Sequence, residues 1–593
     1  MKHSSGILVL AAVLSVFLLF VQGCATAPEM RPDTLTLTIV HVNDTHSHLD
    51  PVEATLTVNS SPTKVQLGGV ARLKTALDEL RGREQHVLFL HGGDMVQGTL
   101  YFTKYAGRAD AEFMNLIGID VMCIGNHEFD RGPELLAELV ERVNFPFVSA
   151  NTDVSREPTL AGKVAPFIVK KIGGQEIGII GLTTMEAPAI SNPGPNIVFA
   201  DPVISIGKAV EALHARGVTK IILLSHSGYQ EDIALGEKIS GLSLIVGGHT
   251  HSLLGDKAAF ASLGLTVEGP YPTVVKNPIG KNVLIVQAWE WGKMLGVITA
   301  TLDADGEAVT WSGRPKLLAE TSFRQNSAPV DPASAVHDGI IRSLKATNVV
   351  EFHDENPEAK KMLEDYASPL QEMLRTTVAV AAHDLKRGDN AGPGPLVADA
   401  MLWKTRAAGT RIAIQNTGGI RRDIAAGPIS VATVYELLPF GNTLVIIDLK
   451  GSELKAALEE AVDFQLAAAN KSPYFYIAGA AFRLDASAPK GFRIQELRVH
   501  ETDGGTAELD YLKTYRIVTN NYLARGGGGI PTLGSATGYR TDTGFTDAEV
   551  FLEYLKSLKT IHAPAERRIS SALPETLRCL IFRLPPAEIR KAA

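Results

Sequence analysis

Short apolar runs alternate with amphipathic stretches over the first half of the chain. Strand-like runs lie at residues 35–42, 86–91, 121–124, 220–224 and 242–246. Between them, the spacing of apolar residues predicts a helix over residues 70–80, and a second helix is predicted to begin at Pro133, a residue favoured in the first turn. Because strands that alternate with helices build layered sheets, residues 35–318 are predicted to form an α/β domain.

A short polar motif follows each of the five runs. The motifs are NDTH (43–46), GGD (92–94), GNHEFD (125–130), SHSG (225–228) and GGHTH (247–251). Functional side chains of open α/β sheets collect at the carboxyl ends of the strands. We therefore expect five strand ends to deliver Asp, His and Asn side chains to one edge of a sheet.

The side chains in these motifs are those of a metal centre. Imidazole and carboxylate donors without thiolate suit zinc, manganese or iron better than a soft metal. Seven donors are too many for one ion but fit two ions with water between them. Asp94 comes from a separate strand end and is the natural bridge. The candidate ligands are Asp44, His46, Asp94, Asn126, His226, His249 and His251.

The order and wording of the five motifs resemble the calcineurin-like metallophosphoesterases, specifically the 5'-nucleotidase family that includes bacterial periplasmic UDP-sugar hydrolases. The resemblance implies an α/β fold with an N-terminal four-layer metallophosphatase sandwich and a C-terminal α/β substrate-binding domain. It also implies two divalent metal ions, zinc, manganese or similar. Asp44, His46 and His251 would hold one metal, Asn126, His226 and His249 the other, and Asp94 would bridge them.

The histidine of GNHEFD has a different role in that family. The resemblance implies that His127 is not a ligand but faces the phosphoryl group, and that Asp130 orients it. An alternative for Asp130 is to cap the helix that begins at Pro133. A histidine at an apolar strand end is more often structural, and we apply this interpretation to four others: His41, His48, His86 and His91.

Length and composition agree with a globular enzyme of two or more domains. At 593 residues the chain exceeds the size at which single cores stop growing, about 250–300 residues. A net charge of −8, without a basic patch interleaved with aromatics, gives no indication of a nucleic-acid polymer as partner. Cys24, Cys123 and Cys579 are too far apart to imply a disulfide framework or a thiolate metal site.

The composition changes after the first domain. Residues 319–375 become charged and helix-permissive, which predicts a connecting helix, with membership of the second domain as the alternative. The second domain is expected over residues 376–562. Its landmarks are NTGGIR (416–421), PFGN (439–442) and NNYLARGGGG (520–529), which resemble the substrate-binding domain of the same family.

In that domain the resemblance implies that Arg421 contacts the phosphate region of the substrate and that Phe440 and Tyr522 sandwich a nucleobase. Arg387 and Asn416 are weaker candidates for the same pocket. Guanidinium binds phosphate in a bidentate fork, and stacking stabilises a bound base by ~1–3 kcal/mol. The alternative is that the two aromatic residues belong to the core.

One position departs from the family pattern. The family reads GGDG where this chain reads GGGG, so Gly528 replaces an Asp that receives ribose hydroxyls. Loss of a charge-assisted hydrogen bond costs about 1.5–3 kcal/mol. This substitution bears directly on nucleoside specificity.

Both ends of the chain lie outside the two domains. An apolar run at residues 7–21 fits a signal peptide and is short for a membrane span. VQGC at residues 21–24 resembles a bacterial lipobox, which predicts a signal peptide at residues 1–23 and a lipid anchor to the membrane at Cys24. The alternative is an ordinary secretory signal. Residues 563–593 are a tail of unknown role.

These features predict an exported phosphohydrolase, periplasmic or on the outer surface, that cleaves nucleotides, above all nucleoside 5'-monophosphates, with water activated by the two metals. Nucleotide sugars, cyclic nucleotides and thiosulfate conjugates are alternative substrates on the same scaffold. A surface lipoprotein that captures nucleotides or metals without turnover is the non-enzymatic alternative.

Overall fold

The structure, a computed structural model, describes residues 34–326, 328–467, 475–501, 504–564 and 567–571. The predicted signal peptide, Cys24 and residues 572–593 lie outside the described residues. Among the described helices, none combines the length and apolar character needed to cross a membrane.

The first domain is rich in strands. Its strands are β1 (Leu35–Val42), β2 (Val52–Val58), β3 (Ser61–Leu67), β4 (Val87–His91), β5 (Val121–Cys123), β6 (Phe147–Val148), β7 (Thr152–Asp153), β8 (Phe167–Ile172), β9 (Gln175–Thr183), β10 (Val198–Phe199), β11 (Lys220–His226), β12 (Leu244–Val246), β13 (Thr273–Lys276), β14 (Asn282–Val286), β15 (Met294–Leu302), β16 (Ala308–Gly313), β17 (Lys316–Gln325), β18 (Ala328–Pro329) and β19 (Val350–Phe352). Its helices are α1 (Val70–Arg83), α2 (Leu100–Tyr105), α3 (Arg108–Ile117), α4 (Pro133–Arg142), α5 (Ala187–Ile190), α6 (Pro202–His214), α7 (Tyr229–Lys238), α8 (Lys257–Ser262), α9 (Ala335–Ala346), α10 (Pro357–Ala367) and α11 (Leu370–Leu374).

Two sheets face each other in this domain. One has the order β2-β3-β17-β15-β1-β4-β5-β6, with β16, β18 and β19 at its side, and the other has the order β13-β14-β12-β11-β9-β8. The strands β1, β4, β5 and β6 are parallel neighbours, as are β9, β11, β12 and β14. Leu37 and Leu90 of the first sheet pack with Ile179 and Leu224 of the second in one buried cluster.

Helices cover the outer face of each sheet. Leu77 of α1, Phe113 of α3 and Leu136 of α4 pack on the first sheet, and Ile206 and Leu213 of α6 pack on the second. The result is the expected four-layer sandwich of helices, two sheets and helices. Both helices predicted from the apolar spacing are confirmed, since α1 begins at residue 70 and α4 begins at Pro133.

One expectation about the strands is wrong. The five strands that carry polar motifs do not share one sheet, because β1, β4 and β5 lie in the first sheet and β11 and β12 in the second. The spacing of apolar residues identifies a strand but not the sheet that it joins. The motifs therefore meet across the open end of a sandwich.

The prediction of one connecting helix over residues 319–375 is also wrong. The segment begins inside β17 and continues through three helices, α9, α10 and α11. Leu344 and Leu363 are buried in clusters with residues of β3 and α1, so the segment packs on the first domain. A helix on a domain surface has the same charged composition as a free connecting helix, and composition could not separate the two.

The described residues of the second domain form three sheets. Its strands are β20 (Thr377–Ala381), β21 (Ile412–Asn416), β22 (Gly427–Ser430), β23 (Thr443–Lys450), β24 (Phe475–Ala478), β25 (Ala480–Leu484), β26 (Ile494–His500), β27 (Thr506–Glu508), β28 (Thr514–Asn520), β29 (Arg540–Thr546), β30 (Thr560–Ile561) and β31 (Ile569–Ser571). Its helices are α12 (Pro393–Thr405), α13 (Val431–Leu437), α14 (Gly451–Ala467), α15 (Asn521–Ala524), α16 (Pro531–Ser535) and α17 (Asp547–Leu558).

The central sheet of this domain has the order β24-β21-β28-β23-β29, and the smaller sheets are β22-β20-β30 and β27-β26-β25-β31. Met401 of α12 and Phe551 of α17 pack in one core cluster, and Leu458 of α14 packs in another. The predicted tail is wrong at its start, because β31 pairs in parallel with β25 and extends the domain beyond residue 562. A three-residue strand is too short to have a periodicity of its own.

Asp110, in the first turn of α3, leads to a prediction about how the stability of the fold depends on pH. Its side chain is fully buried, and burial raises the pKa of this carboxyl to about 7. The folded state therefore binds this proton more tightly than the unfolded chain does, and ionisation destabilises the fold increasingly as the pH rises from about 4 to 7. Asp110→Asn should raise the melting temperature more at pH 8 than at pH 5. Asp305→Asn, at a side chain 76% exposed, is the control and should show no such difference.

Candidate active site

The seven candidate ligands meet at the open end of the sandwich, and each is at most 4% exposed. Their donor atoms fall into groups within 4.8 Å of one another, which are Asp44, His46 and His251, then His46, Asp94 and His127, then Asp94, His226 and His249. The first and third groups match the two predicted ligand sets. Asn126 joins the third, because its Oδ1 lies 3.3 Å from Nε2 of His226.

Asp94 lies between the two sets. Its Oδ2 is 3.0 Å from Nε2 of His226 and 3.9 Å from Nε2 of His46, so one carboxylate faces a histidine of each set. Within the first set, Nε2 of His46 lies 3.0 Å from Nε2 of His251. Two imidazole nitrogens that face each other can share only one proton, and a cation between the lone pairs satisfies both. These donors fit divalent metal ions.

The backbone at this site is strained. Left-handed φ angles occur at Asp44 (50°), His46 (48°), Asp94 (56°), His249 (75°) and His251 (52°). Such conformations at residues other than glycine cost about 1–3 kcal/mol each and persist where the surrounding structure imposes them. Five of the seven candidate ligands are thus held by the fold in orientations that an unconstrained chain would avoid.

Other groups orient the histidine rings from behind. Nδ1 of His226 donates to the carbonyl of Gly92 at 2.7 Å, and Nδ1 of His251 donates to Glu290 at 2.9 Å. Nε2 of His249 donates to Glu186 at 3.1 Å. A carboxylate or carbonyl on the second ring nitrogen fixes the tautomer of a metal-binding histidine. Sequence reasoning missed Glu186 and Glu290, since neither lies in a polar motif that follows one of the five strands.

Glu128, inside GNHEFD, was also missed as a functional residue. Its carboxylate accepts from the backbone N–H groups of Gly125 at 2.7 Å, Met95 at 2.8 Å and Asp94 at 3.1 Å. It therefore joins the loops that follow β4 and β5. Its position inside GNHEFD was the sequence signal that could have identified Glu128.

His127 and Asp130 form the predicted pair. Nδ1 of His127 lies 2.7 Å from Oδ2 of Asp130, and Ser191 donates to Oδ1 of the same carboxylate at 2.8 Å. Nε2 of His127 faces the carbonyl of Thr543 at 2.6 Å. Because both ring nitrogens face acceptors, both carry protons. Burial acts to lower the pKa of His127, but Asp130 and Asp94 outweigh it and raise the pKa to about 10.

Asp130 does not cap α4. Gly132 occupies the cap position and no side chain bonds there. The four histidines interpreted as structural are outside the three donor groups and have other partners: His41 bonds Tyr271, His48 bonds the backbone carbonyl of His46, His86 bonds the Thr36 carbonyl and His91 bonds Thr45.

A cavity of about 490 Å³ lies in the second domain. Its lining residues are Asn416, Gly418, Gly419, Phe440, Asn442 and Tyr522. Phe440 is 53% exposed and Tyr522 is 50% exposed, which excludes the alternative that they are core aromatics. The guanidinium carbon of Arg421 lies 5.5 Å from the centre of the Phe440 ring, so this arginine is next to a lining residue without lining the cavity itself.

Two further residues of the second domain can be placed. Gly528 has a φ of 66°, and its N–H donates to the hydroxyl of Tyr522 at 2.9 Å, which puts the glycine-rich loop beside the aromatic wall. Arg387 is exposed, and its N–H donates to Asp423. The structure brings Asn416, Phe440 and Tyr522 together around the cavity, but it places neither Arg387 nor Arg421 among the lining residues.

Known protein families match both halves of the chain. The calcineurin-like phosphoesterase family matches residues 37–253, and the 5'-nucleotidase C-terminal domain family matches residues 373–535. The probable 5'-nucleotidase of Treponema pallidum is 34% identical over 92% of this chain and 96% of its own length. The chain belongs to the 5'-nucleotidase family of calcineurin-like phosphoesterases. It is therefore a hydrolase of phosphoric esters, in a family that uses divalent metals.

Solved structures of this nucleotidase family resemble the whole chain. Haemophilus influenzae NAD nucleotidase superposes with a TM-score of 0.82 at 29% identity, over 91% of this chain and all of that chain. A 5'-nucleotidase precursor from Thermus thermophilus is 45% identical, over 91% of this chain and all of that chain, with a TM-score of 0.56. The two-domain fold is therefore that of a nucleotidase.

The shared position of Asp94 leads to a prediction about metal content. Asp94→Asn removes the charge that faces both histidine sets, so it should lower the occupancy of both metals and abolish turnover. Elemental analysis after dialysis measures the occupancy. Asp110→Asn makes the same change at a buried carboxylate outside the donor groups and should keep the metal content of the wild type. Full loading of two metals in Asp94→Asn would contradict the bridging role.

The position of His127 leads to a second prediction. His127→Ala should keep both metals and substrate affinity while kcat falls by ~100-fold or more, the usual effect of losing a positioned acid or base. Steady-state kinetics with parallel metal analysis measures both quantities. Loss of metal in this variant would show that His127 is a ligand instead.

Proposed function

We propose that this chain hydrolyses nucleoside 5'-monophosphates to nucleoside and phosphate at a pair of divalent metals. The observation that carries the proposal is the pairing, in one chain, of a buried carboxylate and histidine cluster with a cavity walled by two half-exposed aromatic rings. The first suits a phosphoryl group, and the second suits the flat face of a nucleobase.

The three donor groups support the ligand assignment. Asp44, His46 and His251 hold one metal in this proposal, and Asp94 is shared with the second metal. Asn126, His226 and His249 complete the second set. When bound, the two ions supply an activated water and neutralise the phosphoryl oxygens.

Side chains of the protein bind the phosphoryl group and stabilise the leaving group. His127 carries a proton on Nε2 and donates it as a hydrogen bond to the phosphoryl group or to the departing alkoxide. Asp130 holds the opposite ring nitrogen, and Ser191 holds Asp130. Arg421, beside Phe440, receives the phosphate region of the substrate through its guanidinium fork.

In this proposal a domain movement brings the substrate cavity to the metal centre. In the present arrangement the carbonyl of Thr543 occupies Nε2 of His127, the atom assigned to the substrate. The Thermus protein supports movement, because its higher identity accompanies a lower TM-score than that of the Haemophilus protein. A lower score at higher identity is what a different relative placement of the same two domains would give.

A second candidate function is hydrolysis of a dinucleotide pyrophosphate. The Haemophilus influenzae protein that resembles this chain over both domains is an NAD nucleotidase, and in sequence the NAD 5'-nucleotidase of that organism is 30% identical over 92% of this chain. Gly528 in place of the family Asp leaves more room beside Tyr522 for a substrate larger than a mononucleotide.

We also propose that the protein works outside the cytoplasm and is anchored through Cys24. The support is the signal-like run, the lipobox-like VQGC and the description of the Thermus relative as a precursor. Its physiological substrates are then extracytoplasmic nucleotides.

A substrate panel tests the function. The protein loaded with manganese, zinc or cobalt is assayed for phosphate release from mononucleotides and p-nitrophenyl phosphate. Cyclic nucleotides, nucleotide sugars and NAD are assayed by chromatography of their products, because their first hydrolysis step releases no inorganic phosphate. The proposal expects the highest kcat/KM with a nucleoside 5'-monophosphate. Equal or higher values with NAD would favour the second candidate, and binding of nucleotides without turnover would overturn both.

The aromatic wall leads to a prediction about specificity. Phe440→Ala and Tyr522→Ala remove a stacking contribution of ~1–3 kcal/mol per ring, so KM for nucleotides should rise by roughly 5- to 150-fold. The KM for p-nitrophenyl phosphate, which has no nucleobase, should change far less. Equal effects on both substrates would mean that no stacking clamp exists. Phe492→Ala, at an exposed phenylalanine outside the cavity lining, is the matched control.

A further inference from the structure

One carboxylate connects the metal centre to the second domain. Glu186 lies just after β9, at the start of α5, and belongs to the first domain. Its Oε2 accepts from Nε2 of His249 at 3.1 Å and from the hydroxyl of Thr541 at 2.7 Å. Its Oε1 accepts from the hydroxyl of Tyr539 at 2.5 Å. Glu186 thus receives one donor from a candidate metal ligand and two from the other domain.

The two donors from the second domain come from one strand region. Thr541 lies on β29, and Tyr539 is the residue just before the first residue of this strand. The two residues are two positions apart, so their side chains point to the same face of the extended chain. The strand β29 is at the edge of its sheet, with β23 as its partner on the inner side. This edge is therefore the part of the second domain that lies against the metal centre, where Thr543 also contacts His127.

The contact with His249 has a direct consequence for metal binding. His249 is in the donor group with Asp94 and His226. With its Nε2 bound to Glu186, the ring nitrogen left for a metal is Nδ1. A carboxylate on the second nitrogen of a ligand histidine orients the ring and raises its basicity. Glu290 has the same relation to His251, but Glu290 is held by Lys293 of its own domain.

We propose that Glu186 is a positioning residue for the metal ligand His249, and that the second domain acts on the metal centre through Glu186 by means of Tyr539 and Thr541. The inference rests on the proposed two-metal centre. Each hydroxyl holds the carboxylate in place opposite His249 in this domain arrangement. Because binding effects between two sites are reciprocal, metal binding in turn stabilises the contact of β29 with Glu186.

The first test measures metal affinity, without substrate. The full-length metal-free protein is titrated with Zn²⁺ in competition with a chromogenic chelator, which resolves two binding steps in the wild type. Glu186→Gln keeps the size of the side chain but loses its charge, and it should weaken one step by ~10- to 100-fold while the other stays close to the wild type. The matched control is Glu157→Gln, at a carboxylate that accepts from Thr159 and Asn196, away from the histidines.

The second test asks whether the hydroxyls act through Glu186. The double variant Tyr539→Phe, Thr541→Val removes two hydrogen bonds while preserving shape, and it should weaken the same binding step by about 2- to 10-fold for each bond lost. When Glu186→Gln is already present, adding Tyr539→Phe and Thr541→Val should not weaken this Zn²⁺ binding step any further. Tyr101→Phe, which removes a hydroxyl that donates to Asp50 in the first domain, is the control and should leave both steps unchanged.

The outcomes separate the proposals. Two unchanged binding steps in Glu186→Gln would overturn the positioning role. An equal effect of the hydroxyl pair with and without the Glu186 carboxylate would overturn the coupling. Fewer than two binding steps in the wild type would overturn the two-metal centre itself. If circular dichroism shows that Glu186→Gln is unfolded, Thr541→Val alone tests the coupling, because an unchanged metal affinity in this variant would overturn it.

Discussion

The Asp94 carboxylate is the contact on which the rest of the centre depends. Burial acts to raise the pKa of this group, but His226 and His127 outweigh it and hold the pKa well below its usual range. Asp94 is therefore a buried anion, and such a charge is stable only when cations and hydrogen bonds surround it. Oδ1 accepts from the N–H of His127 at 2.9 Å, while Oδ2 faces histidines of both ligand sets.

The sandwich supplies the rigidity that this cluster requires. Left-handed backbone at five candidate ligands is stable only if neighbouring segments hold it, and the packed core between the two sheets lies directly beneath them. Close approach is possible because small residues surround the carboxylates. A Cβ at Gly125 would overlap the Asp94 side chain, so the glycine that precedes Asn126 permits the loops after β4 and β5 to touch.

The two domains divide the work between charge and shape. The first domain concentrates carboxylates and imidazoles, and the second presents two half-exposed aromatic rings with a guanidinium beside them. The edge strand β29 lies where these functions meet, with contacts to both His127 and Glu186. Gly544 has a φ of 68°, and a Cβ there would overlap the His127 ring, so this close contact requires glycine.

The sequence by itself determined those strands and site residues that a short stretch of neighbouring residues identifies. Apolar runs located the motif-bearing strands to within two residues at each end, and the polar residues after them predicted the seven side chains that the structure brings together, along with the His127 and Asp130 pair. Half-exposed Phe440 and Tyr522 were likewise predicted from their motifs.

Only the tertiary structure decided which sheet each strand joins, that residues 319–375 pack on the first domain, and that Glu186 and Glu290 stand behind the ligand histidines. The physical reason is separation along the chain. Glu186 is 63 positions from His249 and 353 from Tyr539, and no local pattern of side chains encodes contacts over such distances.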